Sequence, residues 1–282
     1  MHPLIEKIDA LASENNLQVY RISVATDSGT ETLERIPCNP CQDCYSVAKL
    51  FCVTAVGMLY DEGRLSLSDS VSDIFSEELA FYGIPKQKWE GVTLDCVLRH
   101  RVGFSEGFLD IDTEDITQYP TDDFLFTVLS RPLSYAPGER EVYSDAAYYL
   151  LSRAVSKISG EKLDSFLMSR LLTKIGCREV AWARCPHNYP IGATGLYIRT
   201  EDVARLGRIY LDGGVYRGER ILSEQWVDTV LSRGYELRKM GKGYAKGGMR
   251  GQLVYISFDG NLSLAWHSFE SDGKMRALTS LL

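Results

Sequence analysis

Long hydrophobic runs are missing from this 282-residue chain. No uninterrupted apolar stretch reaches the roughly 18 residues that a membrane-spanning helix needs, which removes that class. A secretory leader is not expected either. The opening MHPLIEKIDALASENN has no basic segment followed by an apolar one, and reads as an amphipathic helix with Leu4, Ile5, Ile8 and Leu11 on one face. Positive charge is also short: 31 Lys and Arg against 38 Asp and Glu leave a net charge of −7. An acidic surface argues against nucleic acid or anionic lipid as the main partner and leaves small substrates open. Repeats, low-complexity segments and long linkers are absent. What remains is ordinary globular material, 45% hydrophobic and 24% charged, long enough for one large domain or two intimately packed ones.

An even cysteine count is lacking too. Seven cysteines in a chain of this size, with no leader expected, point to reduced thiols and a cytoplasmic protein. Three of them crowd into CNPCQDC (Cys38, Cys41, Cys44). An iron–sulfur run of the bacterial ferredoxin type would continue to a fourth cysteine where this chain has Ala48. A zinc site would need Cys52 or one of the four histidines as its fourth ligand. The simpler expectation is buried free thiols near a helix start, with no metal and no cofactor.

Strand patterning lies at the two ends of the chain. LQVYRISVATDSG alternates and closes on a turn, TETLERIP follows as its partner, and a helix is expected from about Ser46 to Glu62. Val47, Leu50, Phe51, Thr54 and Met58 would form its apolar stripe. Residues of about 64–235 read as mostly helical. The helices expected there are 145–160, closed by Gly160; 163–172; 200–214; and 223–234, capped by Ser223. From about 243, GYAKGGMRGQLVYISFDGNLSLAWHSF reads as two strands joined at Asp259-Gly260-Asn261. The expected fold is therefore α+β. An antiparallel sheet is built from N- and C-terminal strands (about 1–63 and 236–282), flanked by helices, with a large helical insertion between them, all within a single domain.

Ser-x-x-Lys occurs three times, as Ser46/Lys49, Ser159/Lys162 and Ser271/Lys274. The latter two straddle glycine-bearing turns and read as solvated surface. The first opens a helix, where positions three apart share a face and the lysine can reach back to the serine oxygen. Apolar neighbours can desolvate Lys49 and let its neutral amine act as a base, while the helix start favours an oxyanion. A serine N-cap followed by a snorkelling surface lysine accounts for the same residues. Two more segments bear on the choice. YSDAAYYLL (143–151) sets Tyr143 just before a helix, where a phenol can shuttle a proton or plug a seam while Asp145 caps the helix. YAKGGMRGQ (244–252) sets Lys246, Gly247 and Gly248 in a strand that a substrate, or another backbone, can approach closely.

These three stretches, in this order, resemble the motif set of the serine β-lactamase and penicillin-binding-protein superfamily. The tyrosine opening the second motif is similar to the class C β-lactamase and esterase branch. The likeness runs from about residue 40 to 270, through SVAKLFCVTAVGMLYDEGRLSLSDSV, VTLDCVLRHRVGF, GATGLYIRTEDVARLGRIYLDGG and KGGMRGQLVYISFDG. It implies Ser46 as the acylated nucleophile, Lys49 as its base and Tyr143 as the proton relay. It implies that Lys246 places positive charge beside the substrate, with oxyanion donors at the N–H groups of Ser46 and Met249. Asp145, Lys246, Gly247, Gly248 and Met249 would line the substrate. The chain departs from the pattern at Asp145, where asparagine is common. It departs again at Gly247, which deletes a hydroxyl, and at His100-Arg101-Val102-Gly103, which lacks a serine. A carboxylate at 145 can pair with Lys49 or Lys246.

The expectation is a serine hydrolase working through an acyl-enzyme on a small ester, amide or peptide-like substrate, and a weak β-lactamase at best. The alternative is a catalytically weakened binding or regulatory protein on the same fold; a cysteine-bound metalloprotein is a third.

Overall fold

A computed structural model describes residues 1–282, the side chain of Asp272 excepted. Its strands are β1 (Val19–Thr26), β2 (Gly29–Glu34), β3 (Gln42–Asp43), β4 (Ala181–Trp182), β5 (Leu196–Ile198) and β6 (Val215–Tyr216). They continue with β7 (Glu219–Arg220), β8 (Arg238–Met240), β9 (Gly243–Gly248), β10 (Gln252–Ser257) and β11 (Leu262–Ser268). The helices are α1 (Pro3–Glu14), α2 (Ala48–Asp61), α3 (Val71–Ile74), α4 (Ser76–Phe81), α5 (Leu94–Leu98) and α6 (Phe124–Ser130). After them come α7 (Asp145–Ser159), α8 (Leu163–Leu167), α9 (Thr200–Leu211), α10 (Glu224–Arg233) and α11 (Asp272–Thr279). Among the described residues, no helix is long and apolar enough to cross a membrane.

The chain forms two compact units. One comprises Met1–Leu50, Ser169–Ala181 and Leu196–Leu282; the other comprises Phe51–Met168 and Trp182–Gly195. The first holds a six-stranded antiparallel sheet in the order β2-β1-β11-β10-β9-β8. The terminal strands meet as the sequence pattern demands, β1 pairing with β11 from Val19↔Ser268 to Ala25↔Ser263. Alternation decides what each face covers. Ile22, Val24, Leu253, Leu264 and Trp266 point to one face and pack with Ile5, Ile8 and Ala12 of α1 and Met275 and Leu278 of α11. Each large side chain buried there contributes on the order of 1.5–3 kcal/mol.

The opposite face carries α9, which packs on β1, β10 and β11. This helix lies in the stretch read as a helical body, yet it belongs to the sheet unit. Gly207 allows the close crossing. A Cβ there would come within 2.2 Å of Ser263 Oγ and 3.0 Å of Val254 Cγ2. Ser23 Oγ donates to Thr200 Oγ1 at 2.8 Å, tying β1 to the first residue of α9.

In the second unit α7 is the central element, with α3, α5, α6 and α8 packed against it. Tyr148, Tyr149, Leu150, Leu151 and Val155 are buried along its length, and Gly160 ends it in the left-handed conformation. Side-chain caps start the shorter helices: Thr93 accepts from the Cys96 amide, and Asp123 from those of Leu125 and Phe126.

Three local expectations need correction. Ser46 does not open an α-helix; it sits in a 3-10 turn, Tyr45–Val47, and α2 begins at Ala48. Nor is that helix one-sided: every residue from Ala48 to Leu59 is buried. A helix apolar around most of its circumference is a core helix, so the stripe picked out by periodicity was only part of the buried surface. The helix expected over 163–172 is α8 alone, followed by a π turn at Met168–Leu172.

His267 lies on β11 on the same face as Ser263, fully buried, and neither ring nitrogen has a hydrogen-bond partner. Burial, aided by the Arg21 charge, pushes its pKa down to about 3. A histidine that is neutral when folded but protonates near 6.5 when unfolded stabilises the fold above about pH 6.5, and that stability drains as pH falls toward 3. Urea unfolding should therefore show about 2 kcal/mol less stability at about pH 5 than at about pH 7.5 from this residue alone. The difference should shrink by that amount in His267→Gln.

Candidate active site

Ser46 lies in the sheet unit. Asp43 Oδ1 accepts from the Tyr45 amide at 2.7 Å, and Tyr45 takes a left-handed backbone (φ 46°), which swings the chain into the 3-10 turn. Ser46 follows, partly exposed. Lys49 is fully buried, and its Nζ donates to Ser46 Oγ at 3.1 Å. The snorkelling alternative is thereby excluded: this lysine has no route to bulk water, because the helix that carries it is buried on all sides.

Beside the turn stands β9. Its outer neighbour β8 pairs only as far as Ala245, opposite Arg238. Lys246, Gly247 and Gly248 thus pair with β10 on one side and, among the described residues, with no strand on the other. Gly248 runs against the serine turn: a Cβ there would sit 2.7 Å from the Cys44 carbonyl and 3.2 Å from the Ser46 nitrogen. Only glycine lets the strand come this close to the amide proposed as an oxyanion donor. Met249, expected on the strand, is the first residue of a 3-10 turn that leaves it. Lys246 is buried in an ion pair with Glu236, itself buried and held in a left-handed backbone (φ 64°). Breaking such a pair from one side leaves an uncompensated buried charge.

Tyr143 lies in the second unit. Tyr143 is 46% exposed, and its ring stacks on His100 with centroids 4.4 Å apart. His100 is buried, also left-handed (φ 56°), and grips the turn twice more. Its carbonyl accepts from the Val142 amide at 2.8 Å, and its Nδ1 accepts from the Ser144 amide at 3.2 Å. An accepting Nδ1 assigns the proton of a neutral ring to Nε2. Ser144 Oγ in turn bonds Phe108, accepting from its amide and donating to its carbonyl, each at 3.3 Å. Ser144, not Asp145, is the residue preceding the helix, and Asp145 is the first residue inside it.

Asp145 keeps acidic company. One carboxylate oxygen each from Asp110, Asp112 and Asp145 lie within 4.8 Å of one another. Hydroxyl donors temper the repulsion: Thr113 to Asp110 at 2.9 Å and Thr194 to Asp112 at 2.5 Å. This is the one His/Cys/Asp/Glu group of three or more among the described residues compact enough to consider for a cation. Cys38, Cys41 and Cys44 do not converge in that way. Burial raises all three thiols above the ordinary range, Cys44 furthest, which keeps them protonated and unreactive.

His100, Glu236, Asp110 and Asp112 went unrecognised from sequence. None belongs to a motif, and each acquires its role from a partner 10 to 44 positions away. The weak signal available was a histidine standing where the family loop has serine.

The chain is similar to several known proteins. The chain is 27% identical over 204 residues to the 6-aminohexanoate-dimer hydrolase of Paenarthrobacter ureafaciens, covering 67% of this chain and 50% of that protein. It is 21% identical over 270 residues to a Salmonella agona (strain SL483) protein provisionally named a D-alanyl-D-alanine carboxypeptidase, covering 74% and 60%. It thus spans about half to three-fifths of the length of these curated relatives. Among solved structures, a Bacillus anthracis protein provisionally named a 6-aminohexanoate-dimer hydrolase shares the fold. Its TM-score is 0.79 at 17% identity, over 96% of this chain and 79% of that one. The family model described as Beta-lactamase matches residues 41–274. That span takes in both the Ser46 turn and the β9 edge, and the chain belongs to this family of hydrolases, within the serine β-lactamase and penicillin-binding-protein superfamily.

Proposed function

We propose that the protein hydrolyses a small ester, amide or peptide-like substrate through an acyl-enzyme on Ser46. One observation carries the reading: a lysine removed from water donates to the serine oxygen at the start of a core helix. Dehydration disfavours the ammonium form, and a neutral Lys49 can take the Ser46 proton as Oγ attacks the substrate carbonyl. The oxyanion would be met by the N–H groups of Ser46 and Met249. Tyr143 would pass a proton to the leaving group, and in the second half-reaction water would release the acyl group from Ser46. Lys246, neutralised in part by Glu236, would steady the substrate beside Gly247, Gly248 and Met249.

The resemblance sets Asp145 beside the substrate, and a carboxylate there, with those of Asp110 and Asp112 close to it, suits a substrate bearing an amine, as the name of the 6-aminohexanoate-dimer hydrolase implies for that relative. Without the amide at 145 or a hydroxyl at 247, β-lactams are poor substrates. A cytoplasmic setting suits the acidic chain and its free thiols. The second reading, a binding protein that has lost turnover, draws on the same two departures, Asp145 and Gly247.

Intact-mass analysis should show one fluorophosphonate adduct on the wild type and none on Ser46→Ala. A wild type that resists both fluorophosphonates and β-lactams, yet binds amine-bearing amides equally well after Ser46→Ala, would favour the second reading. His100 touches no substrate in this scheme and positions Tyr143. His100→Ala should lower kcat at least about tenfold with little change in KM. His100→Asn should recover most of it, because asparagine tolerates the left-handed backbone and offers an acceptor to the Ser144 amide. Equal losses in the two variants would show that the imidazole acts otherwise. In Gly248→Ala the added methyl forces the strand from the serine turn, and acylation should slow by about 10²-fold while the fold's melting temperature changes little.

A further inference from the structure

Away from the serine turn, the sheet unit holds a cavity of ≈360 Å³ lined by Arg178, Arg199, Arg205 and Arg217 together with Glu201 and Asp202. Four guanidiniums on one cavity are unexpected in a chain whose net charge is −7. Two of them are accounted for. Arg199 pairs with Glu179 at 2.5 Å and approaches Glu201 at 3.6 Å; Arg205 pairs with Asp202 at 2.8 Å and donates to the Ile175 carbonyl at 3.1 Å. The other two are not. Among the described residues, neither Arg178 nor Arg217 has an acidic partner or a hydrogen bond; the Arg217 guanidinium lies 5.5 Å from the ring of its neighbour Tyr216.

Where Arg217 stands is informative. It is the first of two residues linking β6 to β7, and it and Gly218 both have positive φ, 51° and 81°. Such a two-residue hairpin turn is ordinarily filled by Asn-Gly or Gly-Gly. An arginine there costs backbone energy that, among the described residues, no ion pair or hydrogen bond offsets, and an observed strain of this kind points to function. The other walls come from two elements: the segment after the π turn supplies Arg178, and the first turns of α9 supply Asp202 and Arg205.

We propose that this cavity binds a doubly charged oxyanion of the phosphate class, held by the unpaired guanidiniums of Arg178 and Arg217. Formal charge supports the class. Glu179, Glu201 and Asp202 pair with Arg199 and Arg205 and leave +1 over the four arginines, while Arg178 and Arg217, without acidic partners, present two positive charges to a phosphate dianion. The planar guanidinium fork suits phosphate oxygens, and a free phosphate and a phosphate monoester present the same group. No candidate catalytic residue lines the cavity, so the site stands independently of the proposed hydrolysis.

The test uses the full chain at about pH 7.5 and constant ionic strength, with calorimetric titration and thermal melts in inorganic phosphate, phenyl phosphate, succinate and sodium chloride. Inorganic phosphate should bind saturably and raise the melting temperature of the wild type and of Ser46→Ala alike. Arg178→Ala/Arg217→Ala should bind it at least about tenfold more weakly while melting at the wild-type temperature without phosphate. Phenyl phosphate binding as tightly as phosphate identifies a monoester as the ligand; weaker binding identifies the free ion. No saturable binding at about 10 mM phosphate, an undiminished response in the double variant, an equal response to chloride, or tighter binding of succinate would each overturn the proposal. Should the double variant melt lower, Arg178→Lys/Arg217→Lys, which keeps the charge and loses the fork, must still weaken phosphate binding.

Discussion

A lysine with no access to water, 3.1 Å from a serine hydroxyl, is the constraint on which the candidate site depends. Burying that nitrogen requires a helix apolar around its whole circumference, and α2 is buried at every position from Ala48 to Leu59. It also requires the serine to be delivered outside the regular helix, where its oxygen stays partly exposed. The left-handed Tyr45 and the 3-10 turn do this, and the approach of Gly248 to the Ser46 amide pins the turn from the other side. Each element is unfavourable alone: a positive φ at a tyrosine, a desolvated amine, glycines in a strand. Together they are the cost of presenting one oxygen beside one nitrogen out of water.

The second unit solves a comparable problem with different means. Tyr143 is too exposed for packing to hold it, so its orientation is borrowed from His100 beneath it. The imidazole stacks on the phenol ring, and its backbone and Nδ1 tie down the residues on either side. One residue further on, the chain turns into α7, and Asp145 joins Asp110 and Asp112 instead of presenting an amide. The substitution of Asp145 is therefore one member of an acidic patch spread over two segments. That changes its meaning from a lost contact to a change in local charge.

Charge is distributed in the same localised way throughout. The chain is acidic overall, yet Lys246 is neutralised by Glu236 inside the protein, while arginines gather around a cavity whose own carboxylates do not match them. Net charge describes the solvent-facing average and says nothing about such local excesses.

The sequence alone determined the nature and order of the main elements. Alternation in LQVYRISVAT and in the 243–268 stretch reflects strands with one face against α1 and α11, so period two reported the sheet directly, and the Asp259-Gly260-Asn261 turn set the hairpin. Ser46, Lys49, Tyr143 and Lys246 were legible because they sit within short motifs whose spacing survives folding. Tertiary structure decided the rest. Periodicity shows one stripe of α2 but not its burial on every side, since a helix packed all round differs from an amphipathic one only in what surrounds it. His100, Glu236 and the aspartates of 110–112 are ordinary residues in one dimension. They joined the candidate site only when folding brought them to Ser144, Lys246 and Asp145, because hydrogen bonds and charge pairs are set by distances in space that separation along the chain does not encode.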